Sequence, residues 1–395
     1  MRHAELNRRR FISGASALTA GSLAIGEPAA ADTRRRVRYP QKTDLILLTD
    51  RPPQLETPLH YFRQDLTPNE AYFVRWHLAA IPTRVDPATF RLTVDGAVNT
   101  PLSLSLDQLR QEFEPVSLVA LNQCSGNSRS FFEPRIAGSQ WKHGAMGNAR
   151  WTGVRLRDLL ARAGLGAGAM QVGLSGLDAS PMPTLPKMLK SLDVDHATDG
   201  EVMVAYAMNG EALPMLNGYP LRLVVPGWYA TYWIKALHHL NVRAEPLHNI
   251  WMDVAYRVPN NPHETEAEEQ LAKDTVPINR FSIHSIFVRP EPEEPLRVGQ
   301  AFELEGLATD AGEGITGVEV SLDGGRSWVA ARLDPEIGRY SWRRWRLTHT
   351  PRAAGPYTFK VRATNRIGEQ QLTEQWNHGG YARRVVEQTS GVVGA

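Results

Sequence analysis

The order of apolar and polar residues divides the 395-residue chain into two parts with different predicted elements. In the first part, residues 90–96 alternate as a β-strand does. Residues 105–113 place apolar side chains at helical spacing behind Ser105, a good N-cap residue. Residues 155–163 predict a second helix, which Gly164 ends. This mixture of strands and helices places the first part in the α+β class.

The second part predicts strands and no helices. A polar, acidic stretch at 259–277 connects the two parts. Beyond it, the turn Asp323-Gly324-Gly325 joins two alternating runs as a hairpin does. The alternating runs lie at 301–307, 317–322, 327–333, 340–347 and 357–363. Several short strands in about 115 residues are typical of an immunoglobulin-like β-sandwich.

Two stretches of the first part lack a regular pattern. Residues 38–53 contain many prolines and charges and predict an extended arm. Residues 141–154 are rich in glycine and tryptophan and predict a packed loop. The predicted organisation is a leader at 1–31, a first domain at 32–270 and a second domain at 271–395.

The composition limits the classes of function that the chain can perform alone. Its net charge of +2 gives no reason to expect nucleic acid or a membrane surface as the main partner. A single cysteine excludes an internal disulfide, an iron–sulfur cluster held by four cysteines and a C-x-x-C-H haem site. If the protein moves electrons, the next carrier therefore belongs to another chain.

The first 31 residues have the layout of a secretory signal. Paired arginines precede Phe11 and Ile12, a mildly apolar stretch follows, and small residues at 29–31 offer a cleavage point. The apolar stretch is short and interrupted by glycine and serine, so it does not predict a membrane span. The arginine pair resembles a twin-arginine signal, which exports folded proteins. We therefore expect a periplasmic protein.

The only cysteine, Cys124, follows an apolar run at 116–121 that predicts a buried strand. Gly126 and Asn127 then favour a turn, and Arg129 places a positive charge close by. A thiolate at such a position can bind a soft metal. A buried cysteine that serves as a small apolar side chain is the alternative, and this stretch alone leaves both open.

Several cations lie inside apolar runs. Arg75 and His77 alternate in an aromatic strand-like run at 71–78, which directs both side chains to one face. Arg222 and Lys235 are also embedded among apolar residues. An unpaired buried cation costs several kcal/mol, so a buried anion such as a phosphate is a plausible partner. A cation that reaches the rim of the fold is the alternative for each residue alone.

Motifs along residues 61–381 resemble the sulfite oxidase family of molybdenum enzymes, in particular its exported bacterial sulfite dehydrogenases. Five stretches carry the resemblance in the first domain, and Val-Ser-Leu-Asp-Gly-Gly-x-x-Trp at 320–328 carries it in the second. The five stretches are Phe-Val-Arg-x-His at 73–77, Cys-x-Gly-Asn-x-Arg at 124–129, Gly-Asn-Ala-Arg-Trp-Thr-Gly-Val-Arg-Leu at 147–156, Gly-Leu-Asp at 176–178 and Met-Asn-Gly-Glu-x-Leu-Pro at 208–214. The resemblance implies a molybdopterin domain followed by a dimerisation-type β-sandwich.

The resemblance also implies roles for individual residues. Cys124 matches the cysteine that binds molybdenum, and Tyr256 matches the active-site tyrosine. Arg75, Arg129 and Trp141 match residues of the substrate pocket. The positions that match cofactor contacts are Phe73, Val74, Arg75, Trp76, His77, Cys124, Asp178, Asn217, Arg222, Trp233, Ile234 and Lys235.

The implied reaction is the oxidation of sulfite to sulfate by oxygen-atom transfer at a molybdenum–molybdopterin cofactor. The chain shows no cytochrome-b5-like segment, so a separate c-type cytochrome is the expected acceptor, and a homodimer is possible. Two family positions differ, because Gly379 replaces an arginine after Trp376-Asn377 and Asn217 replaces a histidine. These changes affect the expected strength of substrate binding more than the expected reaction class.

Other readings of the same fold remain open. A sulfane dehydrogenase subunit is an alternative enzyme, and Arg129 favours sulfite because those relatives lack an arginine there. A reductase of oxidised methionine lacks the β-sandwich, and a eukaryotic-type nitrate reductase needs haem and flavin domains. A non-catalytic periplasmic binding protein is the alternative from another class.

Overall fold

The computed structural model describes residues 32–182, 184–291 and 294–395. The predicted leader at 1–31 lies outside the described residues. No helix in the described ranges is long and apolar enough to span a membrane.

The first domain contains short helices and three sheets. Its strands are β1 (Arg36–Arg38), β2 (Asp44–Thr49), β3 (Gln54–Glu56), β4 (Val74–Arg75), β5 (Leu92–Gly96), β6 (Leu102–Leu104), β7 (Val116–Gln123), β8 (Met146–Arg155), β9 (Gln171–Gly176), β10 (Leu189–Asp193), β11 (Met203–Met208), β12 (Glu211–Ala212), β13 (Arg222–Val224) and β14 (Leu237–Arg243). Its helices are α1 (Leu106–Glu112), α2 (Leu156–Ala163), α3 (Val194–Thr198) and α4 (Ile250–Asp253). Single 3-10 turns are at Leu59–Arg63, Asn69–Ala71, Arg129–Phe131, Met215–Asn217 and Ala230–Tyr232.

The three sheets are β1-β2-β3-β4, β10-β9-β14-β5-β6 and β12-β11-β8-β7, with β13 also paired to β11. All their pairings are antiparallel except that of β14 with β5. The main apolar core of this domain extends through β5, β8, β9, β11, β13, β14 and α2. Cys124 borders that core, just after the last residue of β7.

The two predicted helices are present with the predicted ends. Ser105 caps α1, because its side chain accepts the Gln108 backbone N–H while the Gln108 side chain accepts that of Ser105. Gly164 ends α2 with φ of +68°, a conformation that glycine adopts at little cost.

Both stretches that lacked a regular pattern contain a strand. Residues 38–53, predicted as an extended arm, contain β2, which pairs with β1 and β3. Residues 141–154, predicted as a packed loop, contain most of the ten-residue β8. Its glycines allow close approach, since a Cβ at Gly147 would lie 2.5 Å from the Tyr72 ring and one at Gly153 2.0 Å from the Val204 carbonyl oxygen. The glycine content that indicated a loop therefore reflects tight packing of a strand.

The second domain is built from two sheets that share one core. After the β15 (Arg257–Pro259) and β16 (Thr275–Pro277) hairpin, its strands are β17 (His284–Arg289), β18 (Leu296–Arg297), β19 (Phe302–Thr309), β20 (Ile315–Ser321), β21 (Val329–Ala330), β22 (Arg332–Leu333), β23 (Arg343–His349), β24 (Gly355–Asn365) and β25 (Glu387–Gly394). The sheets are β17-β19-β23-β22 and β18-β25-β24-β20-β21. Buried side chains of both sheets, with Trp345 and Phe359 the largest, form a single apolar cluster. This is the β-sandwich that the alternating runs predicted.

A third apolar cluster joins the domains. It includes Leu121 and Met146 of the first domain, Leu307 and Trp342 of the second, and Tyr256 between them. The first domain's β7 also pairs with the second domain, because the Leu121 N–H donates to the Tyr340 carbonyl at 2.8 Å. The end of β7, where Cys124 lies, is therefore held from both domains.

Candidate active site

A cavity of about 390 Å³ lies beyond the end of β7. Eight residues that the sequence predicted for the site line it, namely Phe73, Arg75, His77, Cys124, Asn217, Arg222, Lys235 and Tyr256. Arg75 and His77 both face this space, as their alternation in the 71–78 run predicted, although only Val74–Arg75 of that run is a strand. The cavity gathers residues that are up to 183 positions apart, from Phe73 to Tyr256.

A second cavity of about 280 Å³ adjoins the first, because His77, Thr231 and Lys235 line both. Four more of the predicted residues line this second cavity, namely Trp76, Asp178, Trp233 and Ile234. The two cavities are therefore neighbours, and together they are called the groove.

Three predicted residues are not among those that line either cavity. Val74 packs in a small core with Leu55 and Trp76. Trp141 is buried in the main core of the first domain. Arg129 is buried and donates from Nη2 to the Gly379 carbonyl oxygen at 2.9 Å. The residue predicted to bind substrate is thus held by the second domain.

The turn after β7 fixes Cys124 at the cavity wall. The Cys124 N–H donates to the Ala145 carbonyl at 2.9 Å, and its own carbonyl accepts the Asn127 N–H at 3.0 Å. The Asn127 side chain in turn accepts the Ala145 N–H at 2.9 Å. These bonds leave the thiol directed at the cavity and slightly exposed, the position that a metal ligand needs.

The cavities are strongly cationic. Arg75, Arg222 and Lys235 face them, and Asp178 is the one carboxylate among the residues that line them. Burial, and then the nearby Arg222 and Arg75, lowers the pKa of Lys235 to about 7. Burial also lowers the pKa of Arg222 to about 10 and raises that of Asp178. A buried group of cations with so little compensation favours an anionic ligand.

Several buried polar atoms at the cavity walls have no hydrogen-bond partner among the residues that the structure describes. They are Arg75 Nη1, Ser125 Oγ, Arg222 Nε and Thr231 Oγ1. A buried donor without a partner costs about 1–3 kcal/mol, so four of them at one cavity indicate that a ligand completes their bonds. Anionic oxygens satisfy such donors, and the soft sulfur of Cys124 adds a metal ligand at the same wall.

A neutral hydrogen-bonded pair closes one side of the first cavity. His77 Nε2 and the Tyr256 hydroxyl form a hydrogen bond, and the ring of Trp251 packs edge-on against His77 at 5.5 Å. Burial, followed by the charge of Arg75, lowers the pKa of His77 well below its usual range. Burial raises the pKa of Tyr256. Both groups are therefore uncharged at neutral pH, and the His77 tautomer decides which of them donates this hydrogen bond.

Comparisons with known proteins agree with this chemistry. Residues 77–251 match the oxidoreductase molybdopterin binding domain, and residues 275–373 match the Mo-co oxidoreductase dimerisation domain. Chicken sulfite oxidase is 33% identical over 322 residues, which cover 78% of this chain and 69% of that protein. This chain belongs to the sulfite oxidase family. The cofactor of its first domain is accordingly molybdenum with molybdopterin, which the cationic groove and unpaired donors fit.

Two further comparisons show how much of this sulfite oxidase family member is similar to known proteins. Human mitochondrial sulfite oxidase is 35% identical over 325 residues, covering 79% of this chain. The chain spans about 57% of the length of that relative. The crystal structure of the sulfane dehydrogenase SoxCD from Paracoccus pantotrophus superposes with a TM-score of 0.75 at 24% identity, over 97% of this chain and 96% of that chain. That likeness confirms the two-domain fold.

The structure adds site residues that the sequence did not single out. Ser125 and Thr231 line the cavity with unpaired hydroxyls. Lys42, in the supposed arm, is buried and donates to the side chain of Asn217 and to the Tyr72 carbonyl. A lysine and two hydroxyl residues have no local pattern that distinguishes them from surface residues, so only the fold reveals them.

A buried group at the domain junction is not part of this site. His143, His284 and Glu387 place their ligand atoms within 4.8 Å of one another. Arg383 donates to both carboxylate oxygens of Glu387, and His284 Nε2 donates to one of them at 2.9 Å. The carboxylate is already compensated by Arg383, which also donates to the Phe131 carbonyl at 2.8 Å and so links the two domains.

Proposed function

We propose that this chain oxidises sulfite to sulfate and releases the two electrons singly to an external acceptor. Sulfite and one water give sulfate, two electrons and two protons. The observation that carries this proposal is one cavity in which the Cys124 thiol, an unpaired N–H of Arg75 and the Tyr256 hydroxyl face the same space. That set offers a metal ligand, an anion-binding donor and a neutral proton donor.

The residues of the chain supply binding and orientation. Bound molybdenum and its pterin supply the two-electron redox chemistry and the transfer of oxygen. Arg75 attracts and orients the small anion, because a charge-assisted hydrogen bond is stronger than a neutral one. The Tyr256 hydroxyl can donate to an oxygen in the cavity while His77 holds its orientation. Arg222 and Lys235, which line the cavity, would hold the phosphate of the bound cofactor.

The context of the reaction is also a proposal. The acceptor is a c-type cytochrome on a separate chain, since the only cysteine of this chain cannot attach haem. The second domain, which matches a dimerisation domain, supports a homodimer. The leader at 1–31 supports export to the periplasm by the twin-arginine route, with a first domain at 32–270 and an immunoglobulin-like second domain at 271–395.

Sulfane dehydrogenation is the second candidate. Arg129, the residue whose presence favours sulfite, is not among the residues that line the cavity and is bonded to Gly379 instead. The fold is also that of the solved sulfane dehydrogenase. The charged pocket around Arg75 and Cys124 can bind either substrate, so the measured rates with sulfite and thiosulfate decide between them.

The test is the reduction of cytochrome c by the purified, molybdenum-loaded protein. Sulfite, thiosulfate and buffer alone are compared at equal concentrations, and oxygen is tested as an alternative acceptor. Sulfite-dependent reduction that exceeds the thiosulfate rate at least tenfold supports the proposal. A higher rate with thiosulfate favours sulfane chemistry, and a protein that reduces cytochrome c with neither substrate contradicts both.

A further inference from the structure

The end of the second domain contributes backbone groups to the turn that carries Cys124. The Ala382 N–H donates to the Ser125 carbonyl at 3.1 Å, directly beside Cys124. The Gly379 carbonyl accepts a hydrogen bond from Arg129 at 2.9 Å. Residues 379–382 therefore contact the segment that carries Cys124 and Arg129.

Arg129 lies in a cradle made by glycines. A Cβ at Gly126 would lie 2.6 Å from Nη2 of Arg129, and one at Gly138 would lie 2.9 Å from Nη1. At Gly380, whose φ is +58°, a Cβ would lie 2.7 Å from Nε. Contacts this short do not occur in folded proteins, so the guanidinium occupies space that exists only because these three residues lack side chains.

The remaining face of the guanidinium is covered by Tyr381. The Arg129 guanidinium carbon lies 5.1 Å from the centroid of the Tyr381 ring, within the range of a cation–π contact. The same ring stacks on Tyr256, with centroids 5.6 Å apart and planes inclined by 24°. Tyr381 is thus the residue that touches both the candidate substrate arginine and the cavity tyrosine.

Tyr256 needs this support because of its backbone. Its φ is +58°, in the left-handed region where a bulky residue is rarely found. The Tyr256 carbonyl accepts a hydrogen bond from the Ile278 N–H of the second domain at 2.8 Å. The second domain therefore bonds the strained residue at its backbone and packs against its ring.

We propose that Tyr381 is a positioning residue that fixes Arg129 and Tyr256 relative to each other and thereby sets the affinity of the site for its anionic substrate. The proposal rests on the sulfite oxidation proposed above. It assigns to the second domain a part in substrate binding. It also explains why glycine is useful at 380, where a Cβ would lie 2.7 Å from Nε of Arg129, and at 379, where a Cβ would lie 2.4 Å from the Tyr381 ring.

Two variants of Tyr381 separate a positioning role from a purely structural one. Tyr381→Leu removes the ring, and we expect the KM for sulfite to rise at least fivefold and kcat to fall, because both neighbours lose their support. Tyr381→Phe keeps the ring over Arg129, so its KM should return to within twofold of the wild type. Tyr357→Leu, which removes a stacked tyrosine elsewhere in the second domain, should leave both constants unchanged.

Two glycines with positive φ allow the contact with Arg129 to be tested while the backbone strain is matched. Gly380→Ala places a methyl group against Arg129, whereas Gly368→Ala adds one at φ of +85° with nothing within 4 Å. We expect a rise in KM of at least fivefold for Gly380→Ala with kcat changed less than twofold, and no change for Gly368→Ala. Equal kinetic effects of the two variants would overturn the assignment.

Crystal structures of the Tyr381 variants keep the proposal testable if the wild type does not oxidise sulfite. In Tyr381→Leu the Arg129 guanidinium should leave the Gly379 carbonyl, and in Tyr381→Phe it should stay. An unmoved Arg129 in Tyr381→Leu would refute the positioning role whatever the substrate is. A wild-type enzyme inactive with sulfite, combined with a displaced Arg129, would refute the proposed function and retain the positioning role.

Discussion

Replacing Lys235 by methionine should have opposite effects on the cofactor-free and the cofactor-loaded protein. Lys235 is partly buried, lines both cavities, and holds its ammonium group 4.9 Å from the centroid of the Trp76 ring. Methionine keeps much of the apolar stem and removes the charge. Without cofactor the charge is a cost to folding, whereas with cofactor it is a binding contact.

The size of the cost follows from the titration of Lys235. Burial lowers its pKa from 10.5 to about 7. At pH 7 this corresponds to a penalty of about 4 kcal/mol in the free energy of folding. Removing Lys235 also removes the cation that lowers the pKa of Asp178, and the loss of that interaction cancels part of this gain in stability. We therefore expect a net stabilisation of about 2 kcal/mol for the cofactor-free variant at pH 7.

The stabilisation should shrink as the pH rises. Between pH 7 and 10.5 the unfolded chain keeps the Lys235 proton and the folded chain has lost it, so the wild type gains stability with pH across this window. The variant lacks this group, so its advantage over the wild type should decline by about 1.4 kcal/mol for each pH unit. Urea unfolding at pH 7 and pH 9, on protein from a host that makes no molybdopterin, measures both quantities.

The loaded protein is compared by its molybdenum content after expression in a cofactor-producing host. Lys235→Met should retain less than a fifth of the wild-type molybdenum. Lys190→Met is the matched control, since burial also lowers the pKa of Lys190 to about 7 but the residue lines neither cavity. Full molybdenum content in Lys235→Met, or a less stable cofactor-free variant at pH 7, would refute this reasoning.

Three further predictions concern the proposed reaction. Cys124→Ser should abolish sulfite oxidation while circular dichroism shows an unchanged fold, and retained activity would exclude metal ligation by Cys124. Arg129→Gln should raise the KM for sulfite at least tenfold, because a lost charge-assisted contact costs about 1.5–3 kcal/mol; an unchanged KM would remove Arg129 from the substrate site. Tyr256→Phe should lower kcat with little loss of molybdenum, since only the bond to His77 and the proton donor are lost; an unaffected kcat would contradict its role.

Much of the cavity could be predicted from the sequence because its residues carry unusual chemistry in a regular pattern. Arg75 and His77 are two polar residues at strand spacing in an aromatic run, and both line the cavity. Arg222 and Lys235 are cations in apolar runs, and both line the cavity, with Arg222 buried and Lys235 partly buried. A charged residue where the pattern requires an apolar one indicates a partner, and the fold then brings such residues together.

The remaining features depend on contacts between distant segments. Nothing near Tyr381 in the sequence indicates that its ring lies between Arg129 and Tyr256, which are 252 and 125 positions away. The glycines of β8 indicated a loop because their packing against Tyr72 and Val204 is invisible in the local pattern. Long-range packing decides these positions, and local propensity is only a weak guide to it.

The placement of Arg129 changes how the two domains should be understood. The guanidinium is buried in the first domain, yet one of its backbone acceptors and the ring against it come from the second. Tyr256 belongs to the apolar cluster that joins the domains, as does Ala382, which bonds to the residue beside Cys124. A shift between the domains would therefore move the proposed anion-binding groups relative to the metal ligand. The second domain is for this reason part of the site, in addition to any role in dimerisation.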